Sequence, residues 1–245
     1  MRALQLAPLL LLVILTSNAQ ADVLGWRVGA NGWLQNYEGE MRANGDSLDL
    51  EDDLGYDDEA GFNFYASFEH PVPLFPNVLV QHTQIDSDGR GSVSGVSFDG
   101  VSLNGDVASS LDLTHTDITL YYELLDNWVN FDIGVTARLF EEGAEITDRT
   151  SGDKGSLDMD DFYPMVYAEL RFDLPFSGWS VGLSGNGTEW DDDSLLDYKL
   201  NVAYEFGFGL GIEGGYRNFD FEYDDGKDYA DVTIDGAYAG VYWDF

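Results

Sequence analysis

The chain has no cysteine, 11 lysines and arginines together, three histidines and six prolines among 245 residues. Without thiols there is no disulfide, thiolate metal site or cysteine nucleophile, so core packing and backbone hydrogen bonds must hold the fold. The few basic residues stand against 46 acids and leave a formal charge of −35. Nucleic acid is thereby excluded as a partner, because its phosphates would be repelled. Also missing, once the first residues are passed, is any apolar run near the roughly 20 residues that a spanning helix needs. A membrane location, if there is one, is not reached through helices. What remains is 14% aromatic and 44% apolar with 28 glycines, the composition of a chain that folds.

Met1 and Arg2 precede an apolar stretch from Leu6 to Leu15, broken by Pro8, and Ala19-Gln20-Ala21 follows. This pattern predicts a secretory signal peptide over residues 1–21, with 22–245 as the exported domain.

Two-residue alternation dominates the rest. In 129–140, Val129, Phe131, Ile133, Val135, Ala137 and Leu139 fall on one face, while Asn130, Asp132, Thr136 and Arg138 fall on the other. That is a strand with two unlike faces. The pattern recurs in 195–206, 166–174, 24–34, 60–69, from Trp179, from Leu210 and over the last residues to Phe245. It is blurred in 78–86 and 110–123. Tight connections at 123–128, 175–178 and 207–208 and a proline-rich turn at 70–77 alternate with long ones at 35–59, 87–109, 141–159, 191–194 and 220–228. About ten strands, with eight to twelve as the range, predict an all-β, closed antiparallel transmembrane β-barrel, since closure removes unpaired edges. Serine and glycine in 87–110 predict a mobile exposed loop.

A soluble exported all-β binding domain would show the same period with its apolar face inward. Charge placement favours the membrane. Arg27, Asp132, Arg138, Glu169, Arg171, Asp173, Lys199, Glu205, Glu213 and Arg217 fall on the polar faces, where a barrel lumen would let them neutralise one another. Trp128, Trp179 and Trp243 lie beside the tight turns and Trp33 and Trp190 beside the long connections, as an aromatic girdle requires; Trp26 fits neither rim cleanly. The polar-face glycines at 29, 134, 182, 211 and 215 are expected to leave room for long arginine and glutamate side chains.

Ala237-Tyr238-Ala239-Gly240-Val241-Tyr242-Trp243-Asp244-Phe245 resembles the C-terminal signature of Gram-negative outer-membrane β-barrels, whose final aromatic is recognised by the outer-membrane assembly machinery. With the turn His70 to Asn77 and the segment Leu120 to Trp128, the exported chain resembles a family of small outer-membrane barrels of uncharacterised function. The resemblance implies outer-membrane localisation, lipid and the assembly machinery as partners, and Phe245 as the assembly signal. It brings no catalytic residue.

The acidic clusters, at Asp46–Asp53, Asp57–Glu59, Asp158–Asp161, Asp191–Asp193 and Asp224–Asp228, all fall at the long connections. Carboxylates are hard ligands for divalent cations, but no EF-hand spacing occurs and a solvated acidic surface is the simpler reading. No resident metal and no cofactor is expected. A membrane-embedded hydrolase would need a nucleophile near a histidine. The best set, His115 with Asp117 and Ser110, joins two residues of like parity to a third of opposite parity, so the chain is expected not to be an enzyme. The expected function is a structural scaffold or a narrow, cation-favouring pore with acidic loops on one rim.

Overall fold

A computed structural model of the chain describes residues 24–140, 143–157, 162–190 and 193–245. The signal-peptide reading of 1–21 and the acids at 158–161 and 191–192 lie outside the described residues. In chain order the strands are β1 (Gly25–Ala43), β2 (Leu48–Asp49), β3 (Glu59–Glu69), β4 (Asn77–Thr83), β5 (Asp86–Phe98), β6 (Val101–Asp112), β7 (His115–Leu125) and β8 (Val129–Phe140). They continue as β9 (Ala144–Asp148), β10 (Lys154–Leu157), β11 (Phe162–Asp173), β12 (Trp179–Trp190), β13 (Asp193–Glu205), β14 (Leu210–Asp224) and β15 (Asp228–Asp244).

Ten of these, β1, β3, β4, β7, β8, β11, β12, β13, β14 and β15, pair antiparallel in sequence order, and β15 returns to pair with β1. The ring is closed. At the seam Arg27 faces Asp244 and Trp33 faces Tyr238. The backbones of Trp26 and Phe245 exchange two hydrogen bonds of 2.9 Å there.

Among the described residues the long connections are extensively folded. A second sheet, in the order β10-β9-β6-β5, stands on one rim. The segment 87–110, expected to be a mobile loop, is a β-hairpin of β5 and β6 whose Val93, Phe98, Leu103, Val107 and Leu111 are buried. Likewise β1 runs on to Ala43, β14 reaches Asp224 and β15 starts at Asp228, so the expected loop at 220–228 is largely strand and the one at 35–59 is strand over its first part. These extensions form a cap with an apolar core that includes Met41, Leu50, Leu54, Ile146, Phe221 and Ile234.

The strands keep their phase through the cap while the apolar residues change sides. In β1 the even residues Trp26, Val28 and Leu34 face outward, whereas from Trp33 onward the odd apolar residues Trp33, Tyr37 and Met41 are buried inside. In β15, Val241 and Trp243 face outward, while Ala230, Val232 and Ile234 point into the cap core. One stretch of each strand is therefore built for an apolar surround and the next for water.

Inside the wall, glycines face tyrosines. Gly29 opposes both Tyr65 and Tyr242, and Gly211 opposes Tyr242. A methyl group on Gly29 or Gly211 would run into those rings. The room expected for arginine and glutamate is thus taken at these two positions by tyrosine. At Gly215 the obstacle is backbone, the Leu200 carbonyl oxygen of the neighbouring strand. Gly215→Ala is expected to destabilise the barrel by about 1–3 kcal/mol through overpacking. Urea titration of the protein in vesicles checks this, and an unchanged midpoint would contradict the close approach.

Candidate functional site: the closed lumen

The outer wall settles which solvent the barrel meets. Val135 and Leu200 are 60% and 52% exposed, and they belong to a belt with Ile133, Val166, Leu183, Val202 and Ile212. Arg138 and Arg217, on the opposite faces of β8 and β14, are 0% and 1% exposed. A belt of this kind in water would be a large unpaired apolar surface; in a bilayer it matches lipid tails. This is a membrane-spanning barrel of the outer-membrane type. The soluble alternative needs the reverse arrangement.

Trp128, Trp179 and Trp243 are exposed beside the short-turn rim and Trp190 beside the opposite one. Trp26 joins the first group, tilted against Phe68 at 4.5 Å and close to the seam. Trp33 has to be removed from the girdle. Its odd parity, shared with Arg27 and Asn31, turns it inward, where it is 1% exposed and lies under Arg217 with the guanidinium carbon 4.6 Å from the ring centre.

Across the middle of the lumen runs a buried ionic brace. From β8, Arg138 donates to both carboxylate oxygens of Asp117 on β7, at 2.7 and 2.6 Å, and reaches Asp197 on β13 at 2.6 Å. From β14, Arg217 donates to the two oxygens of Asp197 at 2.8 and 2.6 Å, and to Thr83 Oγ1 on β4 at 3.2 Å. Thr83 also accepts from Asn63 on β3 at 2.9 Å, and Asn63 accepts from Asn31 on β1 at 3.2 Å. Two guanidiniums and two carboxylates balance, as a buried charge cluster must.

Aromatic rings cover the brace on its cap side. His115 stacks on Phe219 at 5.8 Å and meets Phe140 edge-on at 5.4 Å. Its Nδ1 lies 2.8 Å from the Leu113 carbonyl and therefore carries the ring proton. Phe140, Tyr163 and Phe221 pack together above it. The hydrolase set does not assemble. Asp117 is held by Arg138, and Ser110 sits in the second sheet opposite Asp88 and Glu145. His115, Asp117 and Asp197 approach closely enough to suggest a metal site, but Arg138 and Arg217 already occupy the carboxylate oxygens.

On the other side of the brace a cavity of about 770 Å³ opens at the short-turn rim, its lining including 127–128, 174–176 and 206–207. Here lie the other sequence-selected charges. Arg27 pairs with Asp244 at 2.6 Å and lies over Tyr242. Lys199 donates to Gln81 at 2.8 Å. Arg171 approaches Asp173 at 3.2 Å and Glu169 at 3.9 Å. Glu213 accepts from Tyr65 and Asn31 at 3.2 and 3.3 Å, and Glu205 and Asp132 line the wall. Sequence reasoning assigned no lumen role to Asp117 and His115, because the phase of β7 is hard to see. Their shared parity with Thr119 and Tyr121 was the available signal.

Several cap acids close turns by accepting, through their side chains, from backbone N–H groups two or three residues on. Asp49 accepts from Glu51 and Asp52 at 2.9 and 2.8 Å, and Asp225 from Lys227 and Asp228 at 2.9 and 2.7 Å. Backbone N–H groups of Asn104, Thr150 and Ser151 converge on Asp148 and hold its carboxyl below the usual range.

No protein-family model and no curated protein matches the chain. Among solved structures it is similar to the translocator domain of the autotransporter NalP from Neisseria meningitidis, at 11% identity over 89% of this chain and 88% of that one, with a TM-score of 0.48. It is also similar to an outer-membrane channel from Pseudomonas putida F1, at 12% identity over 90% and 96%, TM-score 0.40. A third is the Pseudomonas putida toluene transporter TodX, at 11% over 91% and 89%, TM-score 0.35. The architecture of this chain rests on its own strand ladder.

Proposed function

We propose that the protein is a sealed outer-membrane barrel, a scaffold that holds a folded acidic cap outside the cell and a blind polar vestibule toward the periplasm. The observation that carries this reading is the brace of Arg138, Asp117, Asp197 and Arg217 spanning the lumen beneath the aromatic layer. An ion would have to displace fully buried, mutually paired charges and then cross an apolar core. Short turns on the vestibule side and long connections on the cap side support the orientation. The apolar belt supports lipid as a partner, and the in-phase residues 237–245 support recognition by the assembly machinery through Phe245. The cap's carboxylates give divalent cations a diffuse, screened attraction. In this reading the cation-favouring pore is the runner-up.

Single-channel recording in a planar bilayer tests the choice. The inserted protein is expected to be silent at moderate voltage. Sustained, cation-selective steps would replace the scaffold by the pore.

A further inference from the structure

The vestibule wall formed by β7, β8 and β11 places carboxylates side by side. Glu123 faces Asp132 across β7 and β8, and Asp132 faces Glu169 across β8 and β11. Glu69 adjoins them through its 2.9 Å hydrogen bond from Tyr121. Like charges directly opposite on neighbouring strands repel, and a closed ladder fixes their spacing.

Neighbouring groups answer most of this charge. Tyr167 donates to Glu169 at 3.0 Å and Asn77 to Glu123 at 3.0 Å. Asp132 is the exception. It is 9% exposed and lines the cavity, and its Oδ1 has no hydrogen-bond partner. Of the cavity's own cations, Arg27 is engaged by Asp244 and Lys199 by Gln81, while Arg171 stands beside Asp173 at 3.2 Å and Glu169 at 3.9 Å with its Nε left without a hydrogen-bond partner. A buried carboxylate oxygen left without a donor in such a place is a seat for an incoming one.

We propose that this wall binds a linear polyamine entering from the periplasm, with Asp132 as the central anchor and Glu123 and Glu169 on either side. Carboxylates on three adjacent strands at about 4.8 Å per strand form a row roughly 10 Å long. A single metal ion cannot gather so extended a row. Among the described residues the one compact metal-sized cluster is His115, Asp117 and Asp197, which the arginines hold. A chain of ammonium groups separated by methylenes distributes its charge on that length scale. The rings of Tyr121 and Tyr167, 5.9 Å apart, offer faces for the cation and its methylenes. The site stands on the vestibule wall alone and does not require that the brace seal the lumen.

Isothermal titration of the full barrel in non-ionic detergent at about 0.15 M salt with spermidine tests this, a salt level at which diffuse attraction to the cap is screened. One saturable site is expected, weakened at least tenfold in Asp132→Asn and unchanged in Asp57→Asn on the cap. If Asp132→Asn fails to give the folded gel band, Glu169→Gln takes its place with the same expectation. Heat that persists equally in wild type and either vestibule variant would belong to the cap and overturn the proposal. So would magnesium binding the same site as tightly as spermidine, or the absence of saturable heat. Conductance is a separate reading, so a conducting barrel that binds spermidine through Asp132 would overturn the seal and leave the site standing.

Discussion

Asp197→Ala is expected to destabilise the folded barrel by about 3–5 kcal/mol, because it leaves two guanidiniums facing one carboxylate in a place water does not reach. Asp197 is the shared partner of Arg138 and Arg217, each at 2.6 Å, and all three side chains are nearly inaccessible. The reference is Lys154→Ala, which breaks the 2.7 Å pair with Glu145 on the cap surface. Both of those side chains are about half exposed, and such pairs contribute roughly 0–1 kcal/mol. Urea unfolding followed by tryptophan fluorescence, with both variants in the same vesicles, makes the comparison. Equal midpoints for the two variants would mean that the brace does not hold the barrel.

The second large effect concerns the outer wall. Val135→Arg is expected to hamper insertion by about 2–4 kcal/mol, the penalty for a cation facing lipid near mid-bilayer. Glu38→Arg also faces outward, but in the part of β1 that has entered the cap, and it is expected to stay within about 0.5 kcal/mol of wild type. The pair tests the belt and its upper boundary together. A Val135→Arg variant that folds into vesicles as readily as Glu38→Arg would place the apolar stripe somewhere other than lipid.

The barrel was legible because lipid and lumen impose opposite demands at a two-residue period. In β8 and β13 the segments with clean alternation lie wholly within the wall, so Val135 and Leu200 separate at once from Arg138 and Lys199. The cap was not legible for the same reason in reverse. Through β6 and β7 the inward residues run Leu103, Val107, Leu111, then His115, Asp117, Thr119. Phase is constant but the inward chemistry changes from apolar to polar on entering the membrane, and a window spanning the change averages to nothing. Trp33 was misplaced by the same change, since it stands where β1 passes from a lipid-facing stripe to an inward one. The brace was half visible. Arg138 and Arg217 sit on clean polar faces, whereas their link through Asp197 depends on how far strands distant in sequence reach across a closed ring.

The unbroken course of β1, β14 and β15 from lipid into the cap has a mechanical consequence. A plug on a separate domain can swing aside about a flexible linker, but the part of this cap built by β1, β14 and β15 is woven from the same ladder as the wall, which runs on without a break among the described residues. Moving that part aside would mean tearing rungs of paired backbone rather than rotating a lid.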